Sequence, residues 1–167
     1  MKWINVKKYL LNCLWLMVPA LAFNAIFINQ LPPVYQRDIF WKDIPGWLGA
    51  GENQFRALVF FLPVLMPLNI KTRRQRMGLA LFLLGTLVYF LSWIVLMLFP
   101  SNAWSTSPFG FMAPAYTPLI WLVGIGLIGD SLYLHTPYKP WVYIGLSLIF
   151  LGFHNMHAWI IYTRNYS

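Results

Sequence analysis

Four ionisable residues fall into two pairs whose spacing allows shared chemistry. Glu52 and Arg56 are four positions apart, and His154 and His157 are three apart. Each pair therefore shares one face if its segment is helical. Arginine binds anions through its planar fork of donors, and histidine exchanges protons or binds metals. If the two segments meet, the pairs predict a binding site for an anionic or quinone-like head group.

Two other interpretations of the same residues stay open. In the first, Glu52 and Arg56 form a structural ion pair, and the histidines are hydrogen-bonded core residues. In the second, His154 and His157 are candidate ligands of a metal ion or haem, with one carboxylate nearby. The sequence contains no further metal-ligand spacing that would name a cofactor.

The elements that position these residues must lie in a membrane. Hydrophobic residues make up 59% of the 167-residue chain and charged residues only 10%, against about 45–50% and about 25% in a soluble domain. The formal net charge is +8, but the basic residues stand in short clusters between apolar stretches. Such clusters fix orientation in a bilayer, so we expect membrane lipids and no nucleic acid as partners.

The apolar stretches predict an all-α, polytopic transmembrane helical bundle that forms a single domain over residues 1–167. A helix needs about 20 apolar residues to cross a bilayer, which gives about five spans. The expected spans cover about 9–29, 51–70, 77–99, 118–135 and 141–162. Residues 30–50 are expected to form an outer interfacial loop, and the uncharged connection 100–117 an outer loop at the head groups.

The length of the second expected span requires that it include Glu52 and Arg56, which places them at a depth similar to that of His154 and His157. Only 14 residues without charge separate Arg56 from Lys71, and they would extend about 21 Å as a helix. A bilayer core is about 30 Å thick, so the span must also take in Glu52 and Arg56. Pro63 and Pro67 predict a kink or a local opening in this span.

The distribution of lysine and arginine predicts the orientation. With the N-terminus in the cytoplasm, eight of these residues lie inside and four outside. The excess favours an N-in, C-out topology in the plasma (inner) membrane. The second and fifth spans then bring both ionisable pairs near the outer leaflet.

Two further features favour structural roles. Gly124, Gly126 and Gly129 match the G-x-G-x-x-G pattern, but they lie within an expected membrane helix, where small residues indicate close helix packing. Asp130 is expected within the fourth span, paired with an arginine of the basic cluster at Arg73, Arg74 and Arg76.

No catalytic motif is recognisable, and Cys13 is the single cysteine. We therefore expect a non-enzymatic protein: an accessory subunit of a larger membrane complex, or a binder of a lipid-soluble or anionic small ligand near the outer leaflet. The alternatives are a membrane-embedded enzyme, or a metal or haem protein, that uses His154 and His157. A channel or transporter is a further alternative, although polar residues within the spans are sparse.

Overall fold

The structure is a computed structural model that describes residues 10–134 and 138–166. Over these residues the chain is helical, without β-strands, which confirms the all-α class. The α-helices are α1 (Val18–Phe27), α2 (Arg37–Phe40), α3 (Gly46–Phe61), α4 (Arg73–Leu98), α5 (Pro108–Tyr116), α6 (Pro118–Ile128) and α7 (Pro140–Tyr166). Short 3-10 turns cover Cys13–Leu16, Ile28–Gln30, Pro33–Tyr35 and Leu62–Leu65.

Three helical stretches in the described residues are long and apolar enough to cross a membrane. They are Arg73–Leu98, Pro108–Ile128 (α5 and α6 together) and Pro140–Tyr166. Val18–Gln30 is a shorter apolar helical stretch. The helix over Gly46–Phe61 contains charged residues and ends before a proline-containing 3-10 turn.

The outward face of α4 is apolar, and its buried face includes glycines and polar residues. Leu84 and Leu87 are more than half exposed, whereas Gly85, Tyr89 and Ser92 are buried. A soluble protein would more often bury the leucines and expose the polar residues, because apolar side chains avoid water. This exposure of leucines agrees with the length and apolar composition that would allow the helix to cross a membrane.

The centre of the bundle is the antiparallel pair of α4 and α6. A Cβ atom at Gly124 would lie 2.6 Å from the backbone nitrogen of Phe82 and 2.7 Å from the carbonyl oxygen of Gly78. The two backbones therefore touch, as small residues allow in membrane helices. Part of the G-x-G-x-x-G pattern thus serves packing, while Gly145 has no neighbour within 4 Å of such a Cβ.

Contacts at each end of the bundle tie the shorter segments to the long helices. At one end, Asn12 and Pro67 form an isolated β-bridge, and the backbone nitrogen of Tyr133 donates to the carbonyl of Leu65 at 2.9 Å. At the other end, the hydroxyl of Tyr35 donates to the carbonyl of Phe111 at 2.6 Å.

Several helix boundaries differ from the expected ones. The connection 100–117 contains α5, because Ser107 caps the helix and Pro108 occupies its first turn, where no backbone donor is needed. Pro19 likewise lies in the first turn of α1 and does not kink a longer helix. The outer segment 30–50 includes the single turn α2 and the start of α3. Tyr9 and His135, at the ends of two expected spans, lie outside the described residues.

Asp130 differs from its expected position and partner. The helix α6 ends at Ile128, so Asp130 follows the helix. Its carboxylate accepts hydrogen bonds from Gln75 Nε2 at 3.0 Å and from the hydroxyl of Ser131 at 3.0 Å. The expected ion pair with Arg73, Arg74 or Arg76 does not occur among the described residues, since Gln75 is the residue of that turn that faces inward.

Candidate functional site

Glu52 is the centre of the predicted cluster, and all four predicted residues meet there. It lies on α3, and its side chain is fully buried against α7. Oε1 accepts hydrogen bonds from Arg56 Nη2 and, at 2.9 Å, from His154 Nδ1. Oε2 lies 2.5 Å from His157 Nδ1. A buried carboxylate in an apolar bundle requires such partners, because its desolvation is costly.

The proton count at His157 follows from its two neighbours. Its Nδ1 faces the Glu52 carboxylate, and its Nε2 lies 2.8 Å from the carbonyl oxygen of Phe40. A carbonyl only accepts, so Nε2 carries a proton. A neutral imidazole has one N–H, so the second proton belongs to His157 Nδ1 or to Glu52. In either case the Glu52–His157 pair carries no net charge.

His154 presents a free nitrogen. Its Nδ1 donates to Glu52 Oε1, which also accepts from Arg56, so the lone pair of the ring is on Nε2. No described residue hydrogen-bonds this Nε2. The ring is stacked on Phe150 with centroids 5.6 Å apart and forms part of a cavity wall.

Arg56 connects the buried carboxylate to the same cavity. Its guanidinium lies 5.7 Å from the ring centroid of Trp41 and 5.8 Å from that of Phe150, both within the range of cation–π attraction. A further donor bonds Asn53 Oδ1 at 3.1 Å. The side chain is 36% exposed, which leaves part of the guanidinium open to a ligand.

The cavity beside this cluster has a volume of about 410 Å³. Its walls are mostly aromatic and aliphatic and carry a few polar groups, which is the usual construction of a small-molecule site. The residues that matter for its chemistry are Arg37, Arg56 and His154, and the aromatic ones are Tyr35, Phe40, Trp41, Trp93 and Phe111.

The segment that covers the cavity is held in place by α7. Arg164 donates to the carbonyls of Lys42 and Ile39 at 2.6 and 2.9 Å, and His157 donates to that of Phe40. These carbonyls belong to α2 and the turn after it, so α7 donates to the end of this short helix. Burial raises the pKa of the Tyr35 hydroxyl, which therefore stays protonated and donates to Phe111.

Sequence reasoning missed Arg37 and Trp41 as site residues. Both lie in the expected outer loop, and a loop gives no periodicity that would place a side chain. The alternation of charged and aromatic residues over 37–42 was the available signal, and it suggested only an interfacial segment. Comparison with protein families, characterised proteins and solved structures found no match to this chain.

Proposed function

We propose that this chain is a multi-pass protein of the plasma membrane that binds a lipid-soluble small ligand near the outer leaflet. The ligand lies in the cavity with its polar end at Arg56 and His154. Glu52 holds both of these side chains by hydrogen bonds, and His157 in turn holds Glu52. The observation that carries the proposal is this cavity, in which Arg37, Arg56 and His154 lie among aromatic and aliphatic lining residues.

The proposed topology has five spans, with the N-terminus inside and the C-terminus outside. Its support is the alternation of the helical segments between the two ends of the bundle: α3 is antiparallel to α7, and α4 to α6. The end that contains Lys71, Arg73, Arg74, Arg76 and Lys139 is the cytoplasmic end in this proposal. The cavity then lies toward the outer leaflet.

A second candidate function is a membrane-embedded enzyme, and the geometry of His154 favours it. A histidine whose Nδ1 donates to a carboxylate is held in one tautomer with Nε2 ready to accept a proton. Here Glu52 fixes the ring, and the ring lines the cavity. His154 would be the general base toward a bound ligand that carries an ionisable hydroxyl.

The hydrogen bonds make a metal or haem site at the histidine pair less favourable. Both nitrogens of His157 are engaged, so it could bind a metal only after losing the bond to Glu52 or to Phe40. Among the described residues, no group of three or more His, Cys, Asp or Glu is arranged to hold a metal ion. A channel lacks support as well, because the polar groups of the candidate site lie at one end of the bundle and form no path through it among the described residues. Lipids and the subunits of a larger complex remain proposed neighbours of the apolar outer faces.

The proposal is tested with two probes that share a decyl chain: decylubiquinone, with a neutral quinone head, and decyl phosphate. The full-length protein in phosphatidylcholine nanodiscs should unfold at a higher temperature with at least one probe, because binding to the folded state stabilises it. Ala158→Leu fills the cavity from a wall position that is 2% exposed. Ala57→Leu adds the same volume on the exposed side of α3.

We expect Ala158→Leu to abolish the shift and Ala57→Leu to retain it. Circular dichroism and the unfolding temperature without probe establish that the Ala158 variant is folded. Should neither probe shift the wild type, or should the filled variant respond as the wild type does, the cavity is not a ligand site.

A further inference from the structure

The charges at the cavity do not balance. The Glu52–His157 pair is neutral by its proton count, and His154 adds no negative charge, because a histidine is either neutral or positive. The positive charge of Arg56 is therefore not compensated within the cluster, although Glu52 accepts its hydrogen bond. An uncompensated cation in a membrane bundle is costly, and a bound anion would relieve the cost.

Arg37 adds a second positive charge to the same side of the cavity. It follows the turn at Tyr35 and forms no ion pair with any described residue. The neighbouring acid, Asp38, is exposed and does not line the cavity. The described lining residues include both arginines and no Asp or Glu.

A neighbouring recess repeats this pattern. It is lined by Arg37, Trp41, Asn53 and Arg56, so three of its four residues also belong to the aromatic cavity. The recess and the cavity meet at the two arginines. One side of this junction offers guanidinium and amide donors, and the other offers aromatic walls.

We infer that the ligand is an amphiphile with a phosphate-type anionic head, and that Arg37 and Arg56 bind this head while the apolar part occupies the aromatic cavity. The inference rests on the proposed binding function and specifies its ligand class. Two guanidinium groups at one junction suit a head with three or more oxygens, since a single guanidinium already satisfies both oxygens of a carboxylate. The aromatic walls suit an acyl or prenyl chain.

The experiment compares decyl phosphate, decylubiquinone, decanol and inorganic phosphate on the full-length protein in phosphatidylcholine nanodiscs. Dissociation constants are read from the shift of the unfolding temperature with probe concentration. Arg37→Gln removes the proposed head-group contact. Lys42→Gln is the matched control, because it removes the same charge from the same segment at a side chain outside the cavity lining.

We expect decyl phosphate to bind at least about tenfold more tightly than decanol, a difference of about 1.4 kcal/mol. Arg37→Gln should weaken the binding of decyl phosphate by a similar factor and leave the binding of decanol unchanged. Lys42→Gln should change the affinity for neither probe. Inorganic phosphate should bind far more weakly than decyl phosphate.

Three results would overturn the inference. Tighter binding of decylubiquinone than of decyl phosphate would contradict the anionic head group, but it would support the proposed binding function with a neutral ligand. Equal affinity for inorganic phosphate and decyl phosphate would show that the apolar chain contributes nothing to binding. Equal effects of Arg37→Gln and Lys42→Gln would show that Arg37 does not contact the head group directly. If no probe binds, the proposed function fails together with the inference.

Discussion

At the scale of single residues, Glu52 organises the site through hydrogen bonds to three side chains on two helices. Two of these side chains lie on α7 and one on α3 itself. The carboxylate thus fixes the tautomer of His154 and the position of the Arg56 guanidinium at once. Replacing any of these side chains leaves part of a fully buried carboxylate unpaired, which is costly in a medium of low dielectric.

Arg56 gives the residue-scale prediction. Arg56→Lys keeps the positive charge but loses the planar group that lies over both Trp41 and Phe150. Because the side chain is 36% exposed, we expect a modest loss of about 1 kcal/mol in unfolding free energy. Thermal unfolding in detergent measures it, and Arg74→Lys, at an exposed position of α4, is the control. An unchanged unfolding temperature would mean that Arg56 only extends toward the membrane surface.

The meeting of Glu52, Arg56, His154 and His157 was predictable from sequence for a physical reason. Helical spacing fixed each pair on one face, and the shortness of the uncharged second stretch forced Glu52 and Arg56 into the bundle. The contribution of the loop was not predictable. Arg37 lies at the cavity in a segment that Arg164, His157 and Phe111 hold by tertiary hydrogen bonds.

At the scale of elements, charge boundaries and prolines differ as guides to helix ends. The helices over 73–98 and 140–166 lie close to the expected 77–99 and 141–162, since charged or proline-containing turns precede both. The absence of charge over 100–117 suggested a loop, but Pro108 lies in the first turn of α5 and Pro114 is buried within that helix. Pro118 begins α6, as the expected span 118–135 had it.

The seam between α4 and α6 gives the element-scale prediction. In Gly124→Ala, the new Cβ would meet backbone atoms of Phe82 and Gly78 at 2.6 and 2.7 Å, and backbone cannot rotate away. We expect a loss of about 1–3 kcal/mol, as for other overpacked cores. Gly145→Ala adds the same methyl group where nothing lies within 4 Å, so helix propensity should make it neutral or stabilising by up to about 1 kcal/mol.

The two glycine variants are compared by unfolding temperature under one detergent condition. Their difference isolates the close approach of the helices, because the gain in helix propensity is common to both. If Gly124→Ala unfolded at the same temperature as Gly145→Ala, the two helices would not be in backbone contact at this position.

At the scale of the whole molecule, the bundle has apolar outer faces and a polar cluster toward one end. The long helices expose leucines and bury glycine, serine and tyrosine, which suits lipid as the surrounding solvent. The cavity lies at the end where α2 and the C-terminal part of α7 meet. A ligand from the outer leaflet would therefore reach it without crossing the bilayer, provided that the proposed topology holds.

The topology prediction uses single introduced cysteines in a Cys13→Ala background. This background removes the single cysteine of the sequence, which is buried. The introduced positions are Lys7, which precedes the described residues, and Lys42, Arg74 and Asn165, which are exposed. A membrane-impermeant maleimide is added to intact cells and to permeabilised cells, and labelling is measured by the mass shift of the protein.

Five spans with an inner N-terminus predict labelling of Lys42→Cys and Asn165→Cys in intact cells, because these positions flank α2 and the end of α7 on the proposed outer side. Lys7→Cys and Arg74→Cys should react only after permeabilisation. With only the three long stretches crossing the membrane, Lys7, Lys42 and Arg74 would all lie on one side. Opposite labelling of Lys42→Cys and Arg74→Cys therefore supports five spans, and equal labelling of the two supports three. Protection of both Lys42→Cys and Asn165→Cys in intact cells would place the candidate site on the cytoplasmic side, because Lys42 lies beside Arg164.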